Sequence, residues 1–270
     1  VSRLPGLFAR ARAEKRAALV IYLTAHDPDG DTSRRAMLAA AEAGADVIEV
    51  GVPWSDPSAD GKSIQAAVHR ALGRGGGLRR SLELCASLRA ANPDVGLVLF
   101  GYANPIVVMG QATFAARARE AGADGVLCVD YPPDEDGELT AALDKQGLDT
   151  IPLLAPTSTP ARIDAALAAA RGFVYYVSLT GITGTALADL EEPRRQVAAI
   201  KARAGGKLPV AVGFGIRTPG AARAVASFAD GVVVGSAAVE TVAAAAAAGR
   251  DPVPELAAFV RSLRGALGPA

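Results

Sequence analysis

Glu42-Ala43-Gly44-Ala45-Asp46 leads into Val47-Ile48-Glu49-Val50, and the same unit returns as Glu120-Ala121-Gly122-Ala123-Asp124 leading into Gly125-Val126-Leu127-Cys128-Val129. A weaker third copy is Ser227-Phe228-Ala229-Asp230, followed by Gly231-Val232-Val233-Val234. In the first two copies the pattern reads as a helix stopped by a glycine that tolerates the left-handed conformation. A short connection then feeds an apolar strand. Working outward, more near-continuous apolar runs appear at Leu19–Leu23, Val95–Phe100, Thr150–Leu154, Phe173–Val177 and Val210–Val212. Runs without polar alternation belong to strands buried on both faces, as in a parallel sheet covered by helices. Alanine-rich stretches such as Ser33–Ala43, Thr113–Ala121, Pro160–Ala170 and Pro193–Ala204 supply those helices, several opening on a cap or first-turn signal. Ala243–Ala248, ending at Gly249, reads as one more helix and its stop.

The expected architecture is α/β, with eight strand–helix units and extra helices at Leu4–Arg16 and Ala66–Leu72. Eight parallel units in about 250 residues form a closed (β/α)8 TIM barrel, here with an extra N-terminal helix. The rival is an open doubly wound sheet. Residues 1–270 show no linker or composition shift, so one barrel domain is expected.

Composition narrows the function. Lys and Arg number 28 against 28 Asp and Glu, and half the residues are hydrophobic. Zero net charge argues against a nucleic-acid partner, which requires a basic surplus. The two cysteines, Cys85 and Cys128, sit in apolar surroundings without a CxxC pattern. They read as small core residues, and with only two histidines no metal centre is expected. A basic N-terminal stretch before Ala17–Leu23 loosely imitates a secretory signal, but its apolar residues recur at helical spacing. No apolar run is long enough to span a bilayer, so a cytoplasmic protein is expected.

In such barrels the strand C-termini form the functional face. Strand seven exits into Gly213-Phe214-Gly215-Ile216 and strand eight into Gly235-Ser236. Glycines there let backbone N–H groups approach a ligand, and a helix starting after Gly235-Ser236 adds free donors and positive dipole. Together they point to an anion such as phosphate; ordinary tight turns are the plainer alternative. Glu49 is out of place in an apolar strand. Burial should raise its pKa, unless it serves as a structural carboxylate bridged to a lysine or arginine. A second carboxylate follows at Asp60, in Pro53-Trp54-Ser55-Asp56-Pro57-Ser58-Ala59-Asp60-Gly61. Two carboxylates in unlike environments suit proton transfer, one neutral enough to donate and one charged enough to stabilise a cation.

The segment from Val47 to Gly61 resembles the signature of the tryptophan synthase α chain family. The resemblance continues through Tyr102-Ala103-Asn104-Pro105-Ile106, Asp130-Tyr131-Pro132-Pro133, Tyr175-Tyr176-Val177-Ser178, Gly181-Ile182-Thr183-Gly184, Gly213-Phe214-Gly215-Ile216 and Gly235-Ser236-Ala237, in family order from about Thr24 to Ala237. It implies retro-aldol cleavage of indole-3-glycerol phosphate to indole and glyceraldehyde 3-phosphate. Glu49 matches the catalytic glutamate and Asp60 the aspartate that accepts the indole N–H. Tyr175 matches a tyrosine lining the site. Thr183 and Gly184 fall in the loop that closes over substrate. Backbone groups of Gly184, Gly215, Gly235 and Ser236 would bind the phosphate. Phe100, Tyr102 and Leu127 would contact the indole, or serve only as barrel packing.

The resemblance also implies a β subunit carrying pyridoxal phosphate, an αββα heterotetramer, and no cofactor in this chain. Pro53–Asp60, Tyr102–Val108 and Tyr131–Asp136 would form the docking loops, with Ile106 and Tyr131 expected to be exposed. A stand-alone lyase and a catalytically silent regulatory subunit are the alternatives. The sequence departs from the family pattern at Ile21-Tyr22, where Pro-Phe is common, and at His26, Lys62 and Thr185-Ala186.

Overall fold

The computed structural model describes residues 1–131, 137–177, 190–213 and 215–268. Its strands are β1 (Ala18–Thr24), β2 (Val47–Gly51), β3 (Gly96–Gly101), β4 (Gly125–Cys128), β5 (Asp149–Thr150), β6 (Leu153–Leu154), β7 (Val174–Val177), β8 (Val210–Gly213) and β9 (Gly231–Val234). They form a parallel sheet in the order β5-β4-β3-β2-β1-β9-β8-β7-β6. The two ends of that order are consecutive in the chain, separated only by Ile151 and Pro152. Ile151 N–H donates to the Val126 carbonyl at 2.9 Å, and the Pro152 carbonyl accepts from Tyr175 N–H at 3.0 Å. One stretch of chain therefore pairs with β4 by its first half and with β7 by its second, which closes the ring. The expected single strand Thr150–Leu154 is split because Pro152 has no N–H to give the ladder.

Alternation along each strand separates two apolar layers. Ile48 and Val50 pack outward, in the layer that holds Ala36, Met37 and Ala40 of the helix Gly30–Glu42. Val47 points inward with Val20, Val98, Leu127, Ile151 and Phe173. Glu49, two residues after Val47, shares that inner face.

The N-terminal helix spans Leu4–Ala13, shorter than the sequence suggests, and the chain leaves it through Lys15 at φ 55°. Its Leu4, Leu7 and Phe8 plug the barrel floor, with the Phe8 and Phe173 rings 5.2 Å apart. Gly96 makes room for them, since a Cβ there would lie 2.9 Å from both leucines.

The repeated Gly-Ala-Asp units acquire a purpose at this floor. Gly44 and Gly122 adopt φ of 110° and 78°, beyond reach of most other residues. Asp46 then accepts the Leu19 N–H at 2.9 Å and two bonds from Arg16 at 2.6 and 2.8 Å. Asp124 accepts the Leu97 N–H at 2.9 Å, with Arg89 at 2.7 Å and Arg3 at 3.0 Å. Asp230 repeats the arrangement with Val210 N–H at 2.9 Å and Lys201 at 3.0 Å. Each aspartate ties the entry of its own strand to the strand beside it.

Candidate active site

The opposite end of the ring is built from the C-terminal ends of the same strands. Glu49 has no exposed surface, and among the described residues neither of its carboxylate oxygens has a hydrogen-bond partner. Burial pushes its pKa up to about 8. An uncompensated carboxylate in such a place is neutral at pH 7, because desolvation penalises only the charged form.

Asp60 comes from the loop after β2. The Tyr102 hydroxyl donates to its Oδ2 at 3.1 Å and accepts from the Ala59 N–H, also at 3.1 Å, which pins the loop to the end of β3. Burial raises Asp60 to about 6 while the tyrosine bond pulls the other way. The two carboxylates thus occupy the unlike environments that donor and cation-stabiliser roles require. Tyr102 serves here as the partner of Asp60, in addition to any contact with a ring.

Aromatic rings line the space between. Phe100 stands edge-on to Tyr22, with centroids 5.1 Å apart, and to Tyr175 at 6.5 Å. Tyr175 is held over Gly213, where a Cβ would come 2.1 Å from its hydroxyl. The absent side chain of Gly213 is therefore needed to admit the tyrosine, whatever else the residue does. Burial, followed by the nearby charges of Glu49 and Asp60, lifts the Tyr175 pKa well above its usual value. Leu127 is wholly buried among the inner residues, so it backs the mouth without presenting surface to it.

On the far side, the helix Ser236–Ala247 starts directly after Gly235 with no side chain capping its first turn. Its leading N–H groups stand where the sequence leads one to expect anion donors. Gly215, at φ 73°, adopts the left-handed conformation beside it. A Cβ at Gly61 would sit 3.9 Å from the Ser236 hydroxyl, so the loop carrying Asp60 also borders this anion end. Glu49, Asp60, Tyr175, Phe100, Tyr102, Gly213, Gly235 and Ser236 all converge on one face; Thr183, Gly184, Phe214 and Thr185-Ala186 lie outside the described residues.

A cavity of about 380 Å³ opens at the other end, beside Arg12, Lys15 and Arg223. It lies where the helices Leu4–Ala13, Pro219–Ala226 and Pro252–Ala266 terminate. Cations there complement the carbonyl ends of those helices.

A family model described as "Tryptophan synthase alpha chain" matches residues 8–267. This chain belongs to the tryptophan synthase alpha chain family. A tryptophan synthase alpha chain of Burkholderia thailandensis is 49% identical over 267 residues, covering 99% of this chain and 97% of its own. One from Laribacter hongkongensis is 47% identical over 261 residues, covering 97% and 98%. Among solved structures, the tryptophan synthase subunit alpha of Legionella pneumophila superposes with a TM-score of 0.92 at 37% identity, covering 98% of each chain. As a tryptophan synthase alpha chain the protein is a TIM-barrel lyase of tryptophan biosynthesis.

Two expectations are revised at the loops expected to dock a partner. Ile106 is buried, at 4% exposure, and Tyr131 is only partly exposed. The apolar residues that do face outward are Val107 and Val108, at 56% and 81%. They follow Ile106 in the short helix Ala103–Met109, whose one inward position is Ile106. His26, at φ 66°, makes the turn before the helix Gly30–Glu42, its backbone N–H donating to the Ser33 hydroxyl at 3.1 Å. Lys62 stands exposed at the first position of the helix Lys62–Leu72. Sequence reasoning passed over the Tyr22 hydroxyl, although an inward tyrosine opposite Glu49 on the neighbouring strand was a usable signal. Among the described residues no helix is long and apolar enough to cross a membrane, and no cluster of three potential metal ligands occurs.

Proposed function

We propose that the chain cleaves indole-3-glycerol phosphate to indole and glyceraldehyde 3-phosphate, with Glu49 moving the protons and Asp60 stabilising the ring. The observation that carries this reading is Glu49 itself, wholly buried, unpaired among the described residues and raised to about 8. In its neutral form Glu49 donates a proton to indole C3, giving a cationic indolenine ring. Asp60, ionised above about 6, accepts the ring N–H and offsets that charge. The Glu49 carboxylate then takes the proton of the adjacent side-chain hydroxyl. As the aldehyde forms, the electrons of the breaking carbon–carbon bond return to the ring and restore indole. Glu49 ends protonated, as it began. The phosphate is gripped at Gly235-Ser236 and Gly215, with Gly184 and Phe214 contributing from outside the described residues, and Thr183 in the closing loop.

The step needs proton transfers and no electron sink, so this chain requires no cofactor for it. Pyridoxal phosphate belongs to the β subunit, which would take up the indole. The pair Val107 and Val108 beside the mouth supports docking of that subunit at the loop after β3, within an αββα assembly in the cytoplasm.

Indole release from purified protein supplied with indole-3-glycerol phosphate, alone and with a β subunit, is the test. Slow release that rises sharply on adding the partner is expected. Reciprocally, a substrate analogue should tighten the αβ complex. Full activity with no response to any β subunit would favour a stand-alone lyase, and no release even with partner would mean a silent subunit.

A further inference from the structure

Tyr22 lies on the inner face of β1, in register with Glu49 on β2. It is 4% exposed, and its hydroxyl makes a single described hydrogen bond, a long one of 3.4 Å with the Thr24 hydroxyl. The backbone is cut away to admit it, for a Cβ on Gly51 would lie 2.2 Å from the phenol oxygen. The ring is braced edge-on by Phe100. A phenylalanine would fill the same apolar space without bringing a weakly bonded hydroxyl into the interior, and burying such a group is unfavourable. The hydroxyl faces the reacting end of the barrel. After burial, the largest influence opposing its ionisation is the charge of Asp60, with Glu49 and Tyr102 contributing further. Tyr175 has the complementary bias, since Glu49 acts on it more strongly than Asp60.

Tyr102 already donates to Asp60 Oδ2. Thr24, itself buried at 2% exposure, can donate to the Tyr22 oxygen and leave the phenol proton free. We propose that Tyr22 is a positioning residue for Asp60, its hydroxyl donating to that carboxylate in the substrate complex so that Tyr22 and Tyr102 together hold it charged and aimed at the indole N–H. This inference rests on the roles given to Glu49 and Asp60 above. It makes no use of the phosphate end of the site.

The test is Tyr22→Phe, which removes one oxygen and keeps the ring packing against Phe100. Melting temperature should equal or exceed that of the parent protein, and affinity for glyceraldehyde 3-phosphate should match it. The value of kcat below neutrality should fall about tenfold, and the acid limb of its pH profile, which reports the substrate complex, should move up by about one pH unit, as loss of a hydrogen bond to a charged group implies. In an Asp60→Asn background the same change should have no further effect, because the group it serves is gone. An unmoved acid limb, or losses from Tyr22→Phe and Asp60→Asn that simply multiply, would overturn the assignment of Tyr22. Glu49→Gln, run alongside, separates the two questions. If it keeps most of its rate, the reading of the site fails and the Tyr22 role falls with it. If it is inactive while Tyr22→Phe behaves as the parent, only the Tyr22 inference is lost.

Discussion

The two ends of this barrel treat buried carboxylates in opposite ways. At the floor, Asp46 and Asp124 are 3% and 0% exposed, and each is bonded to a backbone N–H and to arginine. At the mouth, Glu49 is equally buried and has no hydrogen-bond partner among the described residues. Breaking a satisfied buried ion pair is strongly destabilising, whereas an unsatisfied buried carboxyl is itself the destabilising element. The floor aspartates therefore hold strands in register, and the mouth glutamate weakens the fold in exchange for a proton that is available at pH 7. A buried carboxyl ties strands together where donors surround it and keeps its proton where they are withheld, which is the state the proposed acid–base role needs.

That contrast is sharpest in turnover. Glu49→Gln keeps the shape but cannot carry a proton, so kcat should fall by the roughly 10²–10⁴-fold associated with a positioned acid–base group, about 3–5 kcal/mol of barrier. Affinity for glyceraldehyde 3-phosphate should barely change, which steady-state kinetics and calorimetry can check together. Asp124→Asn should do the reverse. It leaves Arg89 and the Leu97 N–H without their charged partner, and unfolding titrations should show a loss of about 3 kcal/mol with specific activity of the folded fraction intact. If Asp124→Asn abolished activity in a stable protein, the division between floor and mouth would be wrong.

The pH profile probes both mouth carboxylates at once. Asp60 must be ionised and Glu49 protonated, so kcat/KM should be bell-shaped, with limbs near 6 and 8. A rate that climbs steadily through pH 9 would contradict the neutral-acid role of Glu49. The smallest effect concerns the anion end. At Gly235 a Cβ would meet Tyr22 and Ile64 at ordinary contact distances of 3.4 and 3.7 Å, so Gly235→Ala should fold. It should weaken glyceraldehyde 3-phosphate by about tenfold, ~1.4 kcal/mol, while dephosphorylated indole glycerol binds as before. Equal losses for both ligands would point away from a phosphate grip.

Much of this was legible in the residues. Continuous apolar runs and glycine-stopped helices are local signals, and they led to the barrel. Glu49 was conspicuous because nothing else polar interrupts Val47–Gly51 apart from it. What escaped depends on groups distant in sequence. The partners of Asp46 and Asp124 are Arg16 and Arg89, 30 and 35 residues earlier in the chain, so the repeat was visible while its purpose was not. The break at Pro152 had a local signal in the missing N–H, but the change of neighbour across it, from β4 to β7, did not. Exposure at the loop after β3 was assigned to Ile106 rather than Val107 and Val108, since the helix Ala103–Met109 is too short to show a periodicity. The link from Tyr102 to Asp60 spans 42 residues and appears only once the strands are side by side.

The central claim is that Glu49 is buried neutral at a cost to the fold, and the difference in unfolding free energy between Glu49→Gln and the parent, measured from pH 4 to 9, tests it most directly. Its folded pKa is raised from 4.5 to about 8, so between those values the native state holds a proton that the unfolded chain has released. The stability that this proton confers is complete below about pH 4.5 and drains away at up to about 1.4 kcal/mol per pH unit as pH rises towards 8. The glutamine variant is spared that loss. Its advantage should therefore be near its minimum at pH 4, grow steadily to pH 8 and level off beyond. A difference that stays flat across the range, or a parent protein that gains on the variant as pH rises, would contradict the account.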